Sequence, residues 1–136
     1  MTAFSFLVGY HQFHTVKIIN FQLNRWHSLG YARFEDLLKA AQRIKKLDDW
    51  NGVLVNLAQD AEAEQRSMNA AFYYRAAEFF TLPSDPVKER LYDRFIDIFY
   101  LKCCAGEPLE RFLVPYEHTH SDTRHAICTL RIPLRM

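Results

Sequence analysis

The side chains able to do nucleophilic, redox or metal chemistry in this chain are five serines, three cysteines and six histidines. A serine nucleophile of the hydrolase kind sits on a strained strand-to-helix turn framed as G-x-S-x-G, because only glycine leaves room beside the exposed hydroxyl. Gly9, Gly30, Gly52 and Gly106 are too far apart to frame Ser5, Ser28, Ser67, Ser84 or Ser121. Ser67 and Ser84 have local explanations as helix caps or turn residues. Cys103 and Cys104 are adjacent, a poor geometry for bridging each other, and they fall at a helix end, where a thiolate is disfavoured. Inert, buried thiols are the expectation. His118, His120 and His125, with Glu117 and Asp122 beside them, form H-x-H-x4-H, and His11-x-x-His14 repeats the pairing at one-turn spacing. Such residues can hold zinc, but the spacings match no standard ligand set, so they are weak metal candidates and no metal or cofactor is expected.

The elements that would position these groups read mainly as helices. A first is expected over Asn20 to Leu29, carrying Phe21, Leu23 and Trp26. From Phe34 to Leu47 the apolar positions Phe34, Leu37, Leu38, Ala41 and Ile44 share one face, and Lys39, Arg43, Lys45 and Lys46 take the other. Asp48-Asp49 is suited to cap a third helix with Trp50, Leu54, Leu57, Ala58 and Ala61 on its inner stripe, ending in the polar turn Glu62 to Arg66. Ser67 is then expected to cap a fourth, Met68 to Phe80. Its Ala70, Ala71, Ala76 and Ala77 admit close helix approach, while Phe72, Tyr73, Tyr74, Phe79 and Phe80 fill the grooves beside them. Ser84-Asp85-Pro86 opens a fifth, expected to run to about Lys102 with Val87, Leu91, Phe95, Ile98 and Leu101 inward. Two short strands are read at Arg111 to Glu117 and Ala126 to Ile132.

The fold class that follows is mainly α, with antiparallel helical hairpins in tetratricopeptide-like packing and a short β segment or hairpin at the C-terminus. The helical domain is placed at residues 1–110 and a β or irregular tail at 111–136. Seventeen Lys+Arg against 16 Asp+Glu leave a formal charge of +1, so no basic field marks the chain for nucleic acid or anionic lipid. No run of about 18 apolar residues would span a membrane, and no leader pattern opens the chain, so a cytoplasmic location is expected. Aromatic residues make up 15% of the chain, which is more apolar area than a small domain normally buries.

The series NFQLNR (Asn20 to Arg25), DDW (Asp48 to Trp50), NAAFYYRAAEFF (Asn69 to Phe80), DPVKERLYDRF (Asp85 to Phe95) and RFLVPYE (Arg111 to Glu117) resembles the N-terminal region of a family of bacterial and fungal α/β-hydrolases. Members carry a helical domain ahead of the hydrolase fold; they include relatives of the dihydroxypseudooxynicotine hydrolase and of fungal polyketide-shortening hydrolases. The resemblance spans about Asn20 to Glu117. It implies that RFLVPYE opens the first strands of a catalytic sheet, that the parent reaction is Ser-His-Asp hydrolysis of an ester or of a carbon–carbon bond beside a carbonyl, and that the helical domain covers the pocket. Tyr73, Tyr74, Arg75, Glu78 and Tyr92 would then line a substrate site or the domain interface, against the simpler reading that the aromatic cluster is core packing. His118 to Met136 departs from the family pattern, as expected of a truncated or frame-shifted gene or of genuine divergence.

Without a nucleophile elbow, the 136 residues are expected to be inactive alone. The runner-up is a small helical module whose aromatic face binds a protein partner. A helical layer lacking its catalytic domain exposes apolar surface, so a homodimer or larger assembly is expected, with Phe4, Phe6, Tyr10 and Phe13 or the last strand in the interface.

Overall fold

The computed structural model describes residues 10–107 and the backbone of two strands, 109–113 and 126–130. It is mainly helical. The chain divides into a unit ending at Cys103 and a second beginning at Cys104. The first unit holds α1 (Lys17–Ser28), α2 (Phe34–Arg43), α3 (Asp49–Ala63), α4 (Ser67–Phe79) and α5 (Pro86–Ile98), the last continued by a π-helical turn, Phe99–Cys103. In the second unit, β1 (Leu109–Leu113) and β2 (Ala126–Leu130) pair antiparallel, with Arg111 opposite Cys128.

α4 is the central helix of the first unit, and its composition explains why. Ala70, Ala71, Ala76 and Ala77 are all buried, so the backbones of α3 and α5 can approach it on two sides. Trp50, at the start of α3, donates its indole N–H to the Ala76 carbonyl near the end of α4 at 2.7 Å, which fixes those helices antiparallel. The contacts from Phe72 to Phe95 and Phe99, and from Arg75 to Tyr92, set α5 antiparallel to α4 in the same way. Ile19, Leu23, Leu37, Ile44, Leu54, Leu57, Leu91 and Ile98 close the core around this layer.

Two helices end in the same motif built from different residues. After α1, Gly30 (φ +77°) donates to the His27 carbonyl and Tyr31 to that of Trp26. After α3, Gln65 (φ 59°) donates to Glu62 and Arg66 to Ala61. Both are left-handed helix ends, a conformation glycine adopts without strain and glutamine does not.

Several sequence expectations are corrected. α1 starts at Lys17, before Asn20, and Phe21 lies on its solvent side. α2 stops at Arg43, because Asp49 accepts hydrogen bonds from the backbone N–H groups of Lys45 and Lys46 and so holds that stretch in a turn. Ile44 is still fully buried, but Phe34 and Leu38 are exposed, and Ala40 takes the inward position beside Leu37. Asp48 makes no side-chain cap to α3. Ser67 is the first residue of α4 and does not cap it; Arg66 occupies the cap position, and no side chain caps there. Asp85 does cap α5, accepting from the Val87 N–H at 2.9 Å ahead of Pro86. Leu101 falls in the π turn and is exposed, because that turn breaks the helical spacing. Phe72 and Phe95 are half-buried against the core, whereas Tyr73 and Tyr74 are inside it.

Candidate functional site

The five residues singled out on α4 and α5 divide into two environments. Tyr73 and Tyr74 point inward. The Tyr73 phenol donates to Asp36 at 2.8 Å and accepts from the Arg33 backbone N–H at 3.1 Å. Asp36 is also held by Arg66 at 2.9 Å, and Arg66 in turn reaches Glu64 and Asn69. Burial raises the Tyr73 pKa far above the usual phenol value; the Arg33 N–H opposes this and Asp36 adds to it. Tyr74 donates to Glu62 at 2.8 Å, and its pKa is raised by burial first and by Glu62 second. Neutral phenols that donate to carboxylates are tethers between helices, and neither is placed to give up a proton near neutrality.

Arg75, Glu78 and Tyr92 come together where α4 meets α5 at the surface. Glu78 is only 5% exposed. Its Oε1 faces Lys88 Nζ, and its Oε2, which accepts no hydrogen bond of good geometry, is held by charge against Arg75 Nη1. Lys88 also donates to the Glu78 backbone carbonyl at 3.1 Å. The Arg75 guanidinium lies 5.7 Å from the centroid of the Tyr92 ring, a cation–π arrangement. Arg94, further along α5, pairs with Glu62 and completes a second ionic link, this one to α3. The cluster is a set of paired charges linking α3, α4 and α5.

Asp36, Glu62, Lys88 and Arg94 were not singled out from sequence. Their partners lie 10 to 37 residues away, on other helices, and no spacing rule reports such pairings. Lys88 had one signal: it lies on the first turn of a helix whose start was legible in Ser84-Asp85-Pro86.

The histidine pair near the N-terminus is structural. His14 accepts from the Val16 N–H through Nδ1 and bonds the Ile44 carbonyl through Nε2 at 2.9 Å, so both nitrogens are used. His11 packs edge-on against His27 and Phe34, with ring centroids 5.2 and 5.0 Å apart. Asn20 and Asn24 bind the backbone of His11, Phe13 and His14 and strap this segment to α1. Phe13, expected at an interface, is buried within the chain by this strap, while Tyr10 is exposed. An open depression of about 420 Å³ lies beside the strap, lined by Tyr10, Gln12, His14, Lys17 and Phe21 among others. Among the described residues no three His, Cys, Asp or Glu side chains could share a metal ion. His118, His120 and His125, together with Phe4 and Phe6, lie outside the described residues. No described helix is long and apolar enough to cross a membrane.

Comparison with known proteins finds no family model, curated protein or solved structure that matches the chain.

Proposed function

We propose that the chain supplies the helical, cap-like domain of a serine α/β-hydrolase acting on an ester or on a carbon–carbon bond beside a carbonyl, and that these residues are inactive by themselves. The observation that carries this reading is the edge between α4 and α5. Two of the segments that carry the resemblance, Asn69 to Phe80 and Asp85 to Phe95, pack against each other as antiparallel helices, with Arg75, Lys88 and Tyr92 partly exposed around the buried Glu78. On this reading α3, α4 and α5 are hairpins packed as in tetratricopeptide-type repeats, and the β segment after Gly106 is the start of a catalytic sheet. The DNA just downstream tests it: a reading frame encoding G-x-S-x-G supports the parent enzyme, and its absence removes it. The purified 136-residue chain is expected not to turn over p-nitrophenyl esters; turnover that survives purification overturns the inactive-domain reading.

A second reading, an interaction module, is favoured by a different observation. Ile18 and Phe21 on α1, Phe79 at the end of α4 and Leu82 in the loop after it are exposed, Leu82 by 69%, and the Arg25 guanidinium lies over the Phe79 ring at 5.7 Å. Single exposed hydrophobics are ordinary; on this reading these four, with Arg25 joining α1 to Phe79, belong to a surface that association would cover. Self-association in the cytoplasm would cover it with a second copy. Light scattering at micromolar concentration separates the cases: a monomer that binds no hydrophobic dye argues against any such interface.

A further inference from the structure

At the edge between α4 and α5 two cations share one carboxylate. Glu78 is a single buried anion serving two cations, Arg75 and Lys88, whose side chains are 35% and 30% exposed. Bringing two cations to one carboxylate leaves a net charge of +1 and sets the cations against each other. Burial first, and then the neighbouring Arg75, push the Lys88 pKa below its usual value. Glu62 on α3 is occupied by Arg94 and the Tyr74 phenol, and Asp85, Glu89 and Asp93, at or on α5, form no ion pair with Arg75 or Lys88.

Donors remain for a second anion. Glu78 engages Arg75 through Nη1, one nitrogen of a fork that carries five N–H groups. Lys88 donates to the Glu78 backbone carbonyl and pairs by charge with its carboxylate, leaving part of its three-donor capacity. Tyr92, 44% exposed with its ring centroid 5.7 Å from the guanidinium carbon, offers an apolar flank beside that fork. A guanidinium fork beside a point charge suits an oxyanion, and an aromatic flank favours one that carries an organic body over an inorganic ion.

We propose that Arg75 and Lys88, positioned by Glu78 and backed by Tyr92, form a site for the carboxylate of a small organic acid. This rests on the hydrolase reading in one respect: there it makes the substrate a carboxylate-bearing ester or ketone. The site itself belongs to the helical chain and can be tested on it directly.

The test uses the 136-residue chain with benzoate as the probe, at constant ionic strength, followed through the backbone amide NMR shifts of residues 75 to 92. Benzoate is expected to give saturable shifts centred on Arg75, Glu78, Lys88 and Tyr92. Lys88→Gln and Arg75→Gln should each weaken binding about tenfold, the loss expected for one charge-assisted hydrogen bond. Lys39→Gln, which removes an exposed cation of α2, should leave it unchanged. Arg75→Lys keeps the charge without the fork; it should bind more weakly than the parent chain and remain folded by circular dichroism if Arg75→Gln does not. Shifts that do not saturate, inorganic phosphate binding as well as benzoate, or an oligoglutamate peptide binding more tightly would each overturn the proposal, the last pointing to a protein partner. Benzoate binding without a downstream hydrolase frame sinks the parent enzyme and keeps the site; a hydrolase frame without benzoate binding does the reverse.

Discussion

The phenol of Tyr73 and the carboxylate of Asp36, 37 residues apart in the chain, meet at 2.8 Å inside the core and tie α4 to the first turn of α2. The same oxygen accepts the N–H of Arg33, the residue that precedes α2, so one buried hydroxyl holds both the entry and the first turn of that helix. Tyr73→Phe leaves a buried carboxylate with one partner fewer and a backbone N–H with none, and should cost about 1 to 3 kcal/mol in urea unfolding. A loss under about 0.5 kcal/mol would mean that water replaces the hydroxyl without penalty.

Alkaline pH should weaken the fold through the same residue. Tyr73 and Tyr74 hold their protons more tightly folded than unfolded, chiefly because both are buried. Their contribution is therefore complete below the unfolded phenol value near pH 10 and is lost as pH rises above it, at up to about 1.4 kcal/mol per pH unit for each tyrosine. Lys88 runs the other way: its folded pKa is lowered, so its cost is present at lower pH and is relieved as pH rises through that value. Denaturant midpoints measured between pH 8 and 11 in the parent chain and in Tyr73→Phe check the sign, since the variant should lose less stability above pH 10.

Gln65 stands where Gly30 stands in the equivalent helix end, at φ 59°. Gln65→Gly should stabilise the chain by up to about 1 kcal/mol, because relief of left-handed strain exceeds the extra freedom glycine gives the unfolded state. Thermal unfolding would show it, and a lower melting temperature would mean that the Gln65 side chain makes a contact worth more than the strain.

Burial separates two leucines that helical periodicity treats alike. Leu57 on α3 is buried, and Leu57→Ala should cost about 2 to 5 kcal/mol. Leu101, in the π turn, is 74% exposed, and Leu101→Ala should change stability by no more than about 0.5 kcal/mol. Equal losses in chemical denaturation would contradict the placement of the turn.

The sequence by itself determined the helices and much of the core, because those features depend on neighbours within a turn or two. The alanines of α4, the Asp85-Pro86 start of α5 and the stripe of Trp50, Leu54, Leu57, Ala58 and Ala61 are local patterns, and the fold uses each of them. Tertiary structure decided the exceptions. Asp49 turned back to Lys45 and Lys46 and ended α2 early, and the π turn carried Leu101 away from the stripe. Arg75 and Glu78 were legible as a pair because they are one turn apart on one helix. That Lys88 joins them, and that Tyr73 looks inward to Asp36 while Tyr92 looks out beneath Arg75, depends on which helix lies beside which. A hydrogen bond or ion pair between helices carries no sequence period, so the charge balance of the candidate site emerged only when α4 and α5 were brought together.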